Sequence, residues 1–151
     1  MTLTVGIDTY CTLAEADTYF ASTFNNAEWV AMPDATQEIA LKTACRKMEQ
    51  LNYIGIKQDD NQPLQFPRSY NNSDYDGTPE DVKNAQCELA LYLYQNQSNQ
   101  VLNAQQMGLK SISLGNESYS FWEGSTSANA IMSSEANAYL DKWLKKGFTL
   151  C

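Results

Sequence analysis

The chain contains no histidine. That removes the residue most used as a general base near neutral pH, and with it any Ser-His-Asp or Cys-His catalytic arrangement. Cations are scarce as well. Ten lysines and arginines stand against eighteen aspartates and glutamates, giving a formal net charge of -8. This is the wrong sign for holding nucleic-acid phosphates through counterion release. No glycine-rich phosphate loop occurs, and no apolar run approaches the ~18 residues that a membrane span needs. The opening residues MTLTVGIDTY place no basic residue ahead of an apolar stretch, so they do not read as a secretory signal.

The cysteines Cys11, Cys45, Cys87 and Cys151 are widely spaced with no CxxC pair, which argues against a zinc site. Cys45 and Cys87 fall within apolar helical patterns, where a reduced thiol acts as a small hydrophobe. Three carboxylate pairs, Glu15/Asp17, Asp59/Asp60 and Glu80/Asp81, could in principle share acid-base work. All lie where helix starts or solvated turns account for them. No catalytic residue, cofactor or metal ligand is therefore expected, and the chain does not read as an enzyme.

What is present is enough apolar sequence, 43% of 151 residues, for one sizeable core. TLAE at Thr12–Glu15 has the form of a capping box and opens a helix whose apolar face carries Leu13, Ala16, Phe20, Thr23 and Phe24. A short turn with Trp29 follows and stops at Pro33. Asp34, with Gln37 three residues on, opens a second long helix with the stripe Leu41, Ala44, Cys45, Met48 and Leu51. Arg46, Lys47 and Glu49 fall mainly outside that stripe. Gly55 marks its exit. A further helix starts with Thr78 as N-cap, Pro79 at the first helical position, and Glu80 and Asp81 favoured by the helix dipole. Its segment AQCELALYLY is apolar nearly all round, with Glu88 as a lone carboxylate. An unpaired buried charge there costs several kcal/mol, so Glu88 needs a cation or hydrogen bonds.

Beyond residue 97 the period changes from helical to two. In LKSISLGNESYSFW, Gly115-Asn116 suits a two-residue hairpin turn. It sets Leu114 opposite Glu117, Ile112 opposite Tyr119 and Lys110 opposite Phe121, with Ser113–Ser118, Ser111–Ser120 and Leu109–Trp122 on the other face. A lone hairpin is marginal in water. It therefore packs either on its own helices or on another subunit. EGSTSANAIMSS reads as a flexible linker. A last helix from Ser134 carries Ala136, Tyr139, Leu140, Trp143 and Leu144, a stripe that covers either its own core or a neighbouring copy.

QPLQFPRSY, between the second and third helical segments, combines two apolar residues two positions apart with Pro67 and Arg68. In an extended run Leu64 and Phe66 project to one side and plug the core, while Pro67 biases Phe66 towards an extended conformation. Arg68 is then aimed at Glu88, at solvent, or at DNA.

The expected fold is mainly α: a small bundle of about four to five helices with an inserted β-hairpin and a tethered C-terminal helix, in a single domain over residues 1–151. Within it the helical core spans about 12–97, the hairpin about 107–122, the linker about 123–133 and the last helix about 134–147.

The order ADTYF…W, ALKTACRKMEQLNYIGIK, QPLQFPRS and TPEDVKNAQCELALYL resembles the head-to-tail connectors, also called adaptors or head-completion proteins, of tailed bacteriophages. That group includes proteins described as DnaT-like single-stranded-DNA-binding proteins. The most specific element is Q-x-L-x-F-P-R, followed by Pro79, Val82, Ala85 and Glu88-Leu89-Ala90. The resemblance implies a virion protein made in the host bacterial cytoplasm and placed at the head-tail junction. There a homo-oligomeric, dodecameric ring sits beneath the portal protein, extends the double-stranded-DNA channel and docks a tail or nozzle protein. A negative lumen would let DNA slide without sticking, and no membrane is involved. The DnaT-like description implies single-strand binding instead. Leu64, Phe66, Pro67, Arg68 and Glu88 are expected to form a structural anchor. Contacts to subunits or portal are expected through Leu109, Ile112, Leu114, Tyr119, Phe121 and Trp122 of the hairpin. Tyr139, Leu140, Trp143, Leu144 and Phe148 of the last helix are expected to add to them.

Overall fold

Thr12 starts the first helix as its capping box requires. The Thr12 hydroxyl accepts from the Glu15 amide at 3.1 Å, and the Glu15 carboxylate accepts from the Thr12 amide at 2.7 Å, so each satisfies an open amide of the first turn. The structure, a computed structural model, describes residues 2–74, 76–98, 111–114, 116–120 and 133–146. Helix α1 (Leu13–Ala21) buries Ala16 and Phe20. Phe24, expected on the same face, is fully exposed (108%). The helix ends at its Ser22 cap, so helical spacing no longer governs where residue 24 points.

Helix α2 (Asn26–Ala31) buries Trp29. Its ring stacks on Phe20 with centroids 4.4 Å apart, and its Nε1 donates to Asp17 Oδ1 at 2.8 Å. Helix α3 (Asp34–Met48) begins after Pro33 and buries Leu41, Ala44, Cys45 and Met48. Gln37 is not a capping partner but a buried tie, its Nε2 donating to the Trp29 carbonyl at 2.8 Å.

A small antiparallel sheet not expected from the sequence follows, with strands β1 (Ile56–Lys57), β2 (Arg68–Tyr70) and β3 (Ser73–Asp74) in that order. Lys57 lies opposite Arg68 and Ser69 opposite Asp74. Asn71 and Asn72 turn the chain between β2 and β3 with φ of 54° and 60°, a conformation asparagine tolerates. Gly55 enters β1 at φ +74°, where a Cβ would lie 2.1 Å from the Ser69 carbonyl oxygen. Only glycine permits that approach.

Helix α4 (Glu80–Gln95) has Pro79 as its N-cap, one residue later than expected, and no side chain caps it. Val82, Ala85, Gln86, Cys87, Leu89, Ala90 and Leu91 are all buried, which makes α4 the centre of the bundle. Strands β4 (Ser111–Leu114) and β5 (Glu117–Ser120) pair with Ile112 opposite Tyr119, Leu114 opposite Glu117 and Ser113 opposite Ser118. That is the register the Gly115-Asn116 turn dictates.

Helix α5 (Ser134–Leu140) is shorter than expected and passes into a 3₁₀ turn over Asp141–Trp143. Ser133 caps it, accepting from the Ala136 amide at 3.2 Å. Ala136 and Leu140 are fully buried and Trp143 is 6% exposed within the chain's own core. Backbone bonds fix the end of this element: Ile54 N donates to the Trp143 carbonyl and Lys145 N to the Asn52 carbonyl, both at 2.9 Å. The helix expected as a tethered contact element is thus an integral part of the bundle. The protein is a mainly α helical bundle carrying a small antiparallel sheet and a hairpin. Among the described residues, no helix is long and apolar enough to cross a membrane.

Candidate functional site

Two constructions bear on function, the Leu64–Arg68 segment and the groove between α1 and α4. In the first, Leu64 and Phe66 are buried, and the Phe66–Pro67 peptide bond is cis. The Phe66 ring meets Tyr53, Trp143 and Tyr10 edge-on, with centroids 4.9, 5.7 and 5.9 Å away. One residue therefore joins the N-terminal segment, the α3–β1 connection and the C-terminal turn.

Arg68 does not pair with Glu88. Its Nε donates to the Ile54 carbonyl and one terminal nitrogen to the Gly55 carbonyl, both at 2.8 Å, while the other donates to Gln65 Oε1 at 2.8 Å and the Gln65 carbonyl at 3.3 Å. Those acceptors are loop oxygens that neither a helix nor the sheet satisfies, and the fork of a guanidinium reaches several at once. Burial shifts the Arg68 pKa down.

Glu88 takes its hydrogen bond elsewhere. Tyr19 Oη donates to it at 2.6 Å and lies 3.2 Å from Tyr139 Oη, so α1, α4 and α5 meet at one polar knot. Beside this knot, Ala14, Glu15, Thr18, Tyr19, Glu80 and Asn84 line an open groove of about 360 Å³. Lys83 Nζ pairs with Glu15 at 2.7 Å on its edge. That contact lowers the Glu15 pKa.

Two residues that organise the site escaped the sequence pattern. Gln86, fully buried, donates to Thr9 Oγ1 at 2.8 Å and the Leu41 carbonyl at 2.9 Å, and accepts from the Tyr10 amide at 3.0 Å. Like Glu88 it is a polar residue inside an apolar run, and that was its only signal. The Glu49 carboxylate accepts from Tyr10 Oη and from the Gln65 amide, the latter at 2.9 Å. Burial raises its pKa. Position 49 carried no signal beyond lying off the apolar stripe of α3.

Four lysines lie in ion pairs with carboxylates, those of Lys142 and Lys146 at the exposed surface. Lys42 pairs with Asp8 at 2.9 Å, Lys146 with Asp141 at 3.0 Å and Lys142 with Asp81. Burial pushes the Cys45 thiol up to about 12, while Cys87 is raised chiefly by its hydrogen bond with Cys11. Neither cysteine is a poised nucleophile. Of the expected contact residues, Leu140 and Trp143 face the chain's own core, so in this arrangement they offer no surface to a neighbour. Tyr139 and Leu144 are half-buried against that core. Ile112, Leu114 and Tyr119 lie on the hairpin. Leu109, Phe121, Trp122 and Phe148 fall outside the described residues.

Residues 2–150 match the model of a family described as "Putative DnaT-like ssDNA binding protein". The chain belongs to that family. No curated protein and no solved structure matches it.

Proposed function

We propose that this family member is a non-enzymatic assembly protein: a head-to-tail connector that forms a ring under the portal of a tailed bacteriophage, extends the DNA channel and docks the tail. The observation that carries the reading is how the charged groups are used. The net charge is -8, four lysines are paired with carboxylates, and Arg68 is buried among carbonyls. Single-strand binders instead join a basic groove to aromatic stacking platforms. Here Phe20, Trp29, Tyr53, Phe66 and Trp143 are core residues. An acidic surface suits a channel through which DNA slides, and the sequence resemblance to connectors points the same way.

A second reading, a DnaT-like single-stranded-DNA-binding accessory protein, is favoured by the description of the family itself. One paired experiment separates the two. Purified protein is titrated into a fluorescent single-stranded oligonucleotide at physiological salt, and in parallel is offered to purified portal. The connector reading expects portal capture and oligonucleotide affinity no tighter than the non-specific range, roughly 10⁻⁴–10⁻⁶ M. Tight oligonucleotide binding without portal capture would reverse the choice.

A further inference from the structure

Aspartate precedes glycine at a single place in the sequence, Asp76–Gly77, and asparagine precedes glycine nowhere. That pair has a chemistry of its own. The carboxyl carbon of an aspartate side chain can be attacked by the backbone nitrogen of the next residue, and a glycine there puts no side chain in the way. Whether a folded protein allows this depends on how firmly its structure holds the two residues.

Here the fold leaves the pair open. It lies in the link between β3, which ends at Asp74, and α4, which begins at Glu80. Asp76 and Gly77 are both exposed. Gly77 has φ of +72°, and a Cβ placed on it would meet no atom within 4 Å. Gly55 is the contrast, with the Ser69 carbonyl oxygen 2.1 Å from the corresponding point. Position 77 thus belongs to no helix or strand, and no packed neighbour crowds it.

Other candidates are placed differently. Asp8 accepts from the Thr4 amide at 2.8 Å and pairs with Lys42, while Asp59 accepts from the Asn61 amide at 2.9 Å. Asp17 and Asp81 sit within helices. Asn72 is followed by Ser73, which the ladder pairs with Tyr70. Each of these five is also followed by a residue that carries a side chain.

We infer that Asp76–Gly77 is a site of spontaneous isomerisation to isoaspartate, left open by the fold rather than protected by it. The Gly77 nitrogen attacks the protonated carboxyl carbon of the Asp76 side chain. A C–N bond forms, and the proton of the nitrogen leaves with the carboxyl hydroxyl as water, closing a cyclic imide. Hydrolysis then returns that water. Addition at the side-chain carbonyl restores aspartate, whereas addition at the main-chain carbonyl breaks the original peptide bond and leaves the chain linked through the side chain. Neither mass nor oxidation state changes. The main chain gains a methylene between β3 and α4, and the freed α-carboxylate is the group that isoaspartyl methyltransferases esterify with S-adenosylmethionine. This chemistry is independent of whether the protein is a connector or a single-strand binder.

The test stores the whole protein at physiological temperature in mildly acidic buffer, beside a synthetic peptide of residues 73–80. After digestion, isoaspartate is scored as a second chromatographic peak of identical mass and by methyl transfer from labelled S-adenosylmethionine. It is expected to accumulate in the fragment containing Asp76–Gly77, at a rate within a few-fold of the free peptide. The control is placed at position 76, because any side chain at the φ of Gly77 is strained. Asp76→Glu, at an exposed position, is expected to fold as wild type and to lose the signal, since glutamate must close a larger, slower-forming ring. Folded protein that isomerises an order of magnitude more slowly than the peptide overturns the inference. So does isoaspartate at Asn71 or Asn72 in place of Asp76, or a signal that persists in Asp76→Glu.

Discussion

Tyr19 Oη donates to the Glu88 carboxylate at 2.6 Å across 69 positions of sequence. A carboxylate inside an apolar helix face is therefore answered by a neutral hydroxyl, the hydrogen-bonding one of the two answers expected for it, rather than by a cation. Removing the hydroxyl leaves a half-buried carboxylate short of a donor. Tyr19→Phe is expected to cost about 1.5–3 kcal/mol, read as a lower urea midpoint at unchanged m-value.

Because Arg68 and Glu88 do not touch, their substitutions should act independently. Arg68→Ala strands the carbonyls of Ile54 and Gly55, at about 1–3 kcal/mol for each group left unsatisfied. Arg68→Lys also destabilises, since an ammonium cannot span the same acceptors. Combined with Glu88→Gln, Arg68→Ala is expected to add within about 0.5 kcal/mol. A double-mutant coupling well above that would show that the two charges do communicate.

The bundle is closed by its last helix. Leu140→Ala, at a fully buried position, is expected to cost about 2–5 kcal/mol. Cutting the chain after Gln97 removes Ala136, Leu140 and Trp143 from the core. The fragment is expected to lose cooperative thermal unfolding and to bind a hydrophobic dye.

Glu49 sets a pH dependence of definite sign. Its folded pKa lies above the ordinary 4.5 because burial outweighs the opposing effects of Tyr10, the Gln65 amide, Lys57 and Arg68. The native state thus holds this proton more tightly than the unfolded chain, and the contribution of Glu49 to stability grows as pH falls from above its folded pKa towards 4.5. Glu49→Gln cannot titrate. Wild type is expected to gain stability relative to this variant as denaturant melts move from pH 7 towards pH 4.5; a difference independent of pH would contradict the burial argument.

What the sequence made legible is local. Thr12 and Glu15 lie three residues apart and cap each other within one turn, and Gly115-Asn116 specifies the hairpin register through backbone geometry alone. The burial of Leu64 and Phe66 could be read from their spacing. Arg68 was different, because its acceptors are backbone oxygens of Ile54 and Gly55 whose direction depends on a left-handed glycine and a three-stranded sheet with very short strands. The partner of Glu88 comes from another helix. Phe24 continued the apolar spacing of α1 past the point where the helix ends, and so read as core although it is surface. The α1–α4 groove is a product of packing, with no contiguous signature in the chain.

Tyr19 and Tyr139 face each other with ring centroids 6.4 Å apart although 120 positions separate them. The first helix to leave the ribosome therefore waits for nearly the last one before its polar knot and the adjoining core can close. During that interval the faces of α4 that will meet α5 remain uncovered. Production of this protein is thus a race between finishing the chain and exposing those faces to other molecules, and such long-range closure folds slowly relative to a bundle built from neighbouring helices. Slowing translation before residue 134 lengthens that exposure, and speeding it shortens it.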